Sequence, residues 1–144
     1  MRLRKFGLIL CLIFTPFLIS AGEYAGGVQA KVVLKTTTTG NGDPIAYLKT
    51  DKPEVTVMTV DIVPGAETGW HVHPVPVYAY VVSGSLTVNI EGHKSLEFKA
   101  GEVIIEVVNT RHNGINTEKV PMQLIVFYTG AKTDIANVVK TAAP

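Results

Sequence analysis

Gly65-Ala66-Glu67-Thr68-Gly69-Trp70-His71-Val72-His73 ends with two imidazoles two positions apart. The residues around them have strand character, and strand side chains alternate faces, so both rings point the same way. Two neutral imidazoles on one face are half of a transition-metal site. A third, His112, follows about forty residues later in Thr110-Arg111-His112-Asn113-Gly114, just after another apolar run. The chain has four histidines, and the last, His93, sits in the turn-like Glu91-Gly92-His93-Lys94. Three of the four fall where one pocket can collect them, and His93 reads as an exposed turn residue.

Outward from this stretch, Val-, Ile- and Thr-rich runs recur at residues 32–37, 45–49, 55–63, 75–82, 86–90, 96–99, 103–108 and 122–128. Turn residues separate them: Gly40-Asn41-Gly42-Asp43-Pro44, Pro64-Gly65, Ser83-Gly84-Ser85, Glu91-Gly92 and Ala100-Gly101. Many short strands at this spacing predict an all-β barrel or sandwich. A parallel α/β fold needs helical crossovers, and no stretch before Thr133 has helical period or length. Only residues 133–140 read as a short C-terminal helix, capped by Thr133 or Asp134, with a frayed tail as the alternative.

The N-terminus has a different character. Met1-Arg2-Leu3-Arg4-Lys5 is a basic head, followed by an apolar run over residues 6–19 that only Thr15 and Pro16 interrupt. That is the layout of a secretory signal peptide, too short and too Pro-broken for a comfortable membrane span. Val28-Gln29-Ala30 offers small residues at the two positions a signal peptidase reads, so cleavage is expected after Ala30. An uncleaved anchor is the alternative. Residues 1–30 are therefore expected to be a signal peptide and residues 31–144 a single periplasmic or secreted domain. Cys11, the sole cysteine, lies inside the apolar run behind Leu10, which argues against lipidation and leaves the mature domain without a disulfide. Removing Arg2, Arg4, Lys5 and Glu23 takes three of 13 basic and one of 12 acidic residues, leaving a net charge near −1. Such a balance carries no nucleic-acid footprint and no polybasic membrane patch.

Gly65, five residues, His71-Val72-His73, then a strand ending at Gly84 resembles the first signature motif of the cupins. Gly101, five residues, then Val107-Val108-Asn109-Thr110-Arg111-His112-Asn113-Gly114-Ile115-Asn116 resembles the second, with Gly101, His112 and Asn116 in register. The resemblance spans roughly half the mature chain. It implies a small double-stranded β-helix, the cupin jelly-roll barrel, with a metal held inside by the motif histidines. Two departures stand out. Where the cupin pattern places a glutamate ligand, this chain has Val77, which cannot bind metal. The second motif has Val107 for the usual Pro and Asn109 for the usual Gly, although Asn tolerates the left-handed backbone such a Gly serves.

Another carboxylate can replace the missing ligand. Glu106 lies in Val103-Ile104-Ile105-Glu106-Val107-Val108, six residues before His112, and both faces of that strand look apolar. Buried charges need partners. Glu106 therefore either faces the barrel and completes a site of three His and one Glu, or points outward to solvent or a basic residue. It is also the one candidate for a catalytic group. Glu67, in the loop before Trp70, and Glu102, after a turn glycine, are weaker ligands, and water is a further choice. Trp70, Phe127 and Tyr128 read as core or pocket walls, whereas alternation places Tyr78 and Tyr80 opposite Val77. Arg111 either binds a substrate carboxylate or is an ordinary surface arginine.

The expected metal set is His71, His73, His112 and Glu106, holding a divalent transition metal: Fe, Mn, Zn, Ni or Cu. The expected function is an exported metal-binding cupin with a small-molecule pocket, acting as a metal-dependent oxygenase or isomerase. The alternative is a non-catalytic cupin that binds or senses a small ligand. Because cupins host many chemistries, the resemblance narrows fold more than function. Expected partners are a small molecule and a second copy, since residues 31–35 would suit swapping onto a partner sheet; neither nucleic acid nor, after cleavage, membrane is expected.

Overall fold

Alternation along residues 77–83 decides how the chain folds. Val77, Ala79 and Val81 are buried, while Tyr78 is half-buried and Tyr80 exposed, so one apolar face of this strand turns inward. The structure, a computed structural model, describes residues 26–132 and 137–144. Residues 33–144 form one compact unit. Its strands are β1 Pro53–Ile62, β2 His71–Val72, β3 Val77–Ser83, β4 Ser85–Ile90, β5 Leu96–Lys99, β6 Val103–Ile105, β7 His112–Ile115, β8 Met122–Ala131 and β9 Val139–Lys140. They make two antiparallel sheets, ordered β1-β8-β3-β6 and β5-β4-β7-β2-β9. Among the described residues there is no helix. The all-β double-stranded β-helix expected from the sequence is the observed fold.

The core lies between the sheets. Met122, Leu124, Val126 and Tyr128 of β8 join Val77, Ala79 and Val81 from one sheet, and Leu86, Val88 and Ile90 of β4 face them from the other. Burial of such side chains contributes about 1.5–3 kcal/mol each, which is how a disulfide-free domain of this size holds together.

The two glycine-led segments are stitched to each other through backbone. Gly65 N–H donates to Asn116 O at 2.9 Å, and Asn116 N–H donates to Ala66 O at 3.0 Å. The Asn116 side chain is fully buried; its Nδ2 donates to Ile62 O and Val120 O, both at 2.8 Å, and its Oδ1 accepts from Glu118 N–H at 3.0 Å. Asn109 takes the left-handed backbone with φ 55°, as the sequence allowed, and its N–H donates to His73 O at 2.9 Å. That bond ties the loop before β7 to the end of the His71-Val72-His73 stretch.

The structure corrects several strand expectations. Residues 32–37 and 45–49 form no strands; only an isolated bridge joins Thr38 and Pro44. Between them Thr39 N–H donates to Asp43 O at 2.9 Å, and Asn41 bonds both Thr39 Oγ1 and the Asp43 carboxylate. Local side-chain bonds of this kind compete with sheet pairing. Only Gly40, whose N–H donates to Ile105 O at 2.9 Å, reaches the edge of β6. The run 103–108 is strand only as far as Ile105. Of the expected C-terminal helix, residues 133–136 lie outside the described residues, and Val139–Lys140 are strand paired with His71–Val72. Two consecutive β-branched residues, Val138 and Val139, favour that outcome over a helix. The apolar run of the expected signal peptide also lies outside the described residues.

Candidate metal centre

His71 and His112 open β2 and β7 and are directly opposed across that strand pair. His73 follows β2 immediately. All three side chains are buried, with 7%, 4% and 2% of their surface exposed for His71, His73 and His112. Each ring is held the same way. His71 Nδ1–H donates to Gly69 O at 2.7 Å, His73 Nδ1–H to Asn137 O at 2.9 Å and His112 Nδ1–H to Thr110 O at 2.9 Å. A carbonyl oxygen can only accept, so the proton sits on Nδ1 in every ring and each Nε2 presents a lone pair. The ring centroids are 4.3 to 4.9 Å apart, and one ligating nitrogen per ring can be chosen with all three within 4.8 Å of one another.

Electrostatics keep these rings neutral. Burial pulls His73 and His112 down to about 4, against the opposing pull of their backbone hydrogen bonds, and lowers His71 as well. Neutral imidazole is the form that binds metal. His112 Nε2 is buried with no hydrogen-bond partner. An orphaned buried acceptor is costly, and convergence of three lone pairs leaves a cation as the natural partner. The residues fit a divalent transition metal.

Glu106 faces inward. Its N–H donates to Val77 O at 3.0 Å, continuing the Tyr78–Ile105 register, so Glu106 sits across from Val77. Opposed residues of an antiparallel pair share a face, and the Val77 side chain points into the core. The Glu106 carboxylate thus enters the barrel beside the position where a glutamate was expected on β3. Its Oε2 lies 3.6 Å from His112 Nε2, and only 12% of the side chain remains accessible. Burial raises its carboxyl to about 7.

The other candidates go elsewhere. Glu67 accepts from Asn113 Nδ2 at 2.7 Å, and Glu102 accepts from Lys99 N–H at 2.6 Å, closing its own turn. His93 is exposed in the β4–β5 turn. Arg111 is held by Glu91, with Nε donating to Oε2 at 2.8 Å and Nη2 to Oε1, so its charge is already matched. Sequence reading placed Tyr128 only among possible walls; it lines the histidine cavity, its ring 5.6 Å from His73, and burial raises its hydroxyl pKa, helped by Glu106. Thr68 and Lys140 also line this cavity of about 130 Å³ and were missed. Thr68 had only its place before the histidines as a signal, and Lys140 had none.

A family model described as the cupin domain matches residues 58–128. That match and the fold agree: the chain belongs to the cupin superfamily. Among solved structures, DMSP lyase DddQ from Ruegeria pomeroyi DSS-3 is 22% identical with a TM-score of 0.53, covering 72% of this chain and 48% of that one. Polyketide cyclase RemF from Streptomyces resistomycificus is 16% identical with a TM-score of 0.51, covering 62% of each chain. Oxalate decarboxylase from Lactobacillus farciminis is 22% identical with a TM-score of 0.50, covering 60% of this chain and 26% of that one. The chain spans less than two thirds of the length of each, and at these identities the likeness concerns the fold. Comparison with curated proteins gives no significant match.

Proposed function

We propose that this cupin is an exported metalloprotein in which His71, His73, His112 and Glu106 hold one divalent transition metal facing a small-molecule cavity. The observation that carries the reading is the convergence of three buried imidazoles. One ring nitrogen from each lies within 4.8 Å of the others, and each Nδ1–H is bonded to a backbone carbonyl so that Nε2 is left as the free donor. Glu106 supports it by bringing a carboxylate, from the residue just after β6, to the place where Val77 on β3 has none. A bound metal would polarise an oxygen atom of a substrate or activate a water. The protein's own part is to fix the rings, exclude bulk water with Val60, Leu86, Leu124 and Val126, and offer the Glu106 carboxylate and the Tyr128 hydroxyl beside the histidines.

Within this reading the activity is that of a metal-dependent oxygenase or isomerase. The cavity is well below the roughly 300–1,000 Å³ of drug-sized pockets, which favours a small substrate. The second reading, a non-catalytic ligand binder, is favoured by one fact: the usual ligand position holds Val77. The basic head and apolar run of the leader support periplasmic or secreted location. Exposed Val55, Val57, Tyr80 and Phe127 on neighbouring strands β1, β8 and β3 support a homodimer; residues 31–35, once the candidates for swapping, form no strand.

Oxygen uptake and product analysis with the iron- and manganese-loaded protein, offered phenols, thiols and diketones, separate the two readings. Metal-dependent turnover of one class is the expected result. Saturable binding without turnover would move the protein to the binder class.

A further inference from the structure

Strand β9 does more than close the sheet beside β2. Its register sets Lys140 directly opposite His71, and the Lys140 Nζ turns back over the loop before β2, donating to Thr68 O. A Cβ placed on Gly69 would stand 3.6 Å from that Nζ, in ordinary contact, so the ammonium lies against the loop. Lys140 is exposed on one side and lines the histidine cavity on the other. It is the one cationic side chain among the described residues lining that cavity, where an aliphatic wall that includes Leu86, Leu124 and Val126 meets the histidines, Tyr128 and the Glu106 carboxyl. The other nearby cation, Arg111, is matched by Glu91, whereas no described carboxylate lies within 4.0 Å of Lys140 Nζ.

An ammonium at the mouth of a small chamber with an aliphatic wall recognises one kind of ligand, a small anion with a short body. We propose that Lys140 is a specificity-determining residue that selects a small monocarboxylate, holding the carboxylate at the mouth while the rest of the short ligand extends into the cavity. The proposal deepens the reading of the cavity as a ligand site but does not need the metal. A backbone carbonyl already positions the ammonium, so little ordering cost falls on ligand binding. The carboxylate gains a charge-assisted hydrogen bond from the ammonium, stronger than one between neutral groups.

Sodium butyrate and the neutral isostere butyramide, titrated into ¹⁵N-labelled protein in metal-free and zinc-loaded forms, test this directly. Butyrate should bind at least about tenfold more tightly than butyramide, with shifts at Thr68, Gly69 and Lys140 amides. Lys140→Met should remove most of that preference, and Lys140→Arg should keep it within about threefold. Zinc affinity measured on the same samples should stay within about threefold of the parent protein for both variants. Equal butyrate affinity in the parent and Lys140→Met, or equal affinity for butyrate and butyramide, overturns the proposal whatever zinc does. Failure of the parent to bind zinc, with the butyrate preference intact and Lys140-dependent, would refute the metal reading and leave this one standing.

Discussion

Replacing His73 by alanine is expected to weaken divalent-metal binding by more than about 100-fold, because one of three convergent donors is lost. Loss of supporting groups around a metal ligand alone costs about 10–100-fold, so loss of a ligand itself should exceed that. Glu106→Gln keeps size and burial but removes the anionic donor, and a fall of about 10–100-fold is expected. His93→Ala should leave affinity unchanged, since that side chain sits in an exposed turn. Competition against a chromophoric chelator with cobalt and zinc gives the ranking. Circular dichroism checks that each variant is folded. Equal affinities for His73→Ala and His93→Ala would reject the assignment of the three histidines; an unchanged Glu106→Gln would leave water in the fourth position.

Gly84→Ala should produce the largest loss of stability of any single methyl addition in the barrel. Gly84 has φ +74°, a left-handed backbone that costs an L-residue about 1–2 kcal/mol. Its new Cβ would stand 2.7 Å from Met122 Cβ and 3.0 Å from Met122 Cα, and Met122 is itself 1% exposed. Overpacking of this kind adds about 1–3 kcal/mol. A total of about 2–5 kcal/mol is expected, a fall in Tm of roughly 10 °C or more for a domain of this size. Gly92→Ala separates the two contributions, because Gly92 shares φ +74° but has nothing within 4 Å of an added Cβ; it should cost only the backbone part, about 1 kcal/mol. Urea unfolding of the two variants decides. Equal losses would mean that Met122 moves aside and close packing at the β3–β4 turn contributes nothing.

The barrel was legible because its inward faces follow the strand period so plainly in β3 and β8, and because Gly65, Gly84, Gly101 and Asn116 hold fixed backbone roles. The histidines were legible for the same reason: their spacing along the chain already put two rings on one face. Glu106 was not, since the strand carrying it is apolar on both faces and alternation within it gives no direction. Its orientation became visible only through its partner, Val77, about thirty residues away in sequence. Lys140 lay further out of reach. Nothing in the tail announces that Val139 and Lys140 would pair with His71 and Val72, because an edge strand of two residues is set by the neighbour that offers an open edge. The segments at 32–37 and 45–49 failed in the opposite sense. They have the composition of strands, but Asn41 and Asp43 satisfy backbone and side chains locally, and no sheet edge takes them up beyond the Gly40 contact with Ile105.

Titration of the metal-stripped protein with zinc, cobalt, manganese and iron(II), followed by elemental analysis after gel filtration, tests the central claim most directly. Three Nε2 lone pairs and one inward carboxylate should retain about one equivalent of at least one of these ions. Retention of less than about a tenth of an equivalent of every one of them would contradict the metal site.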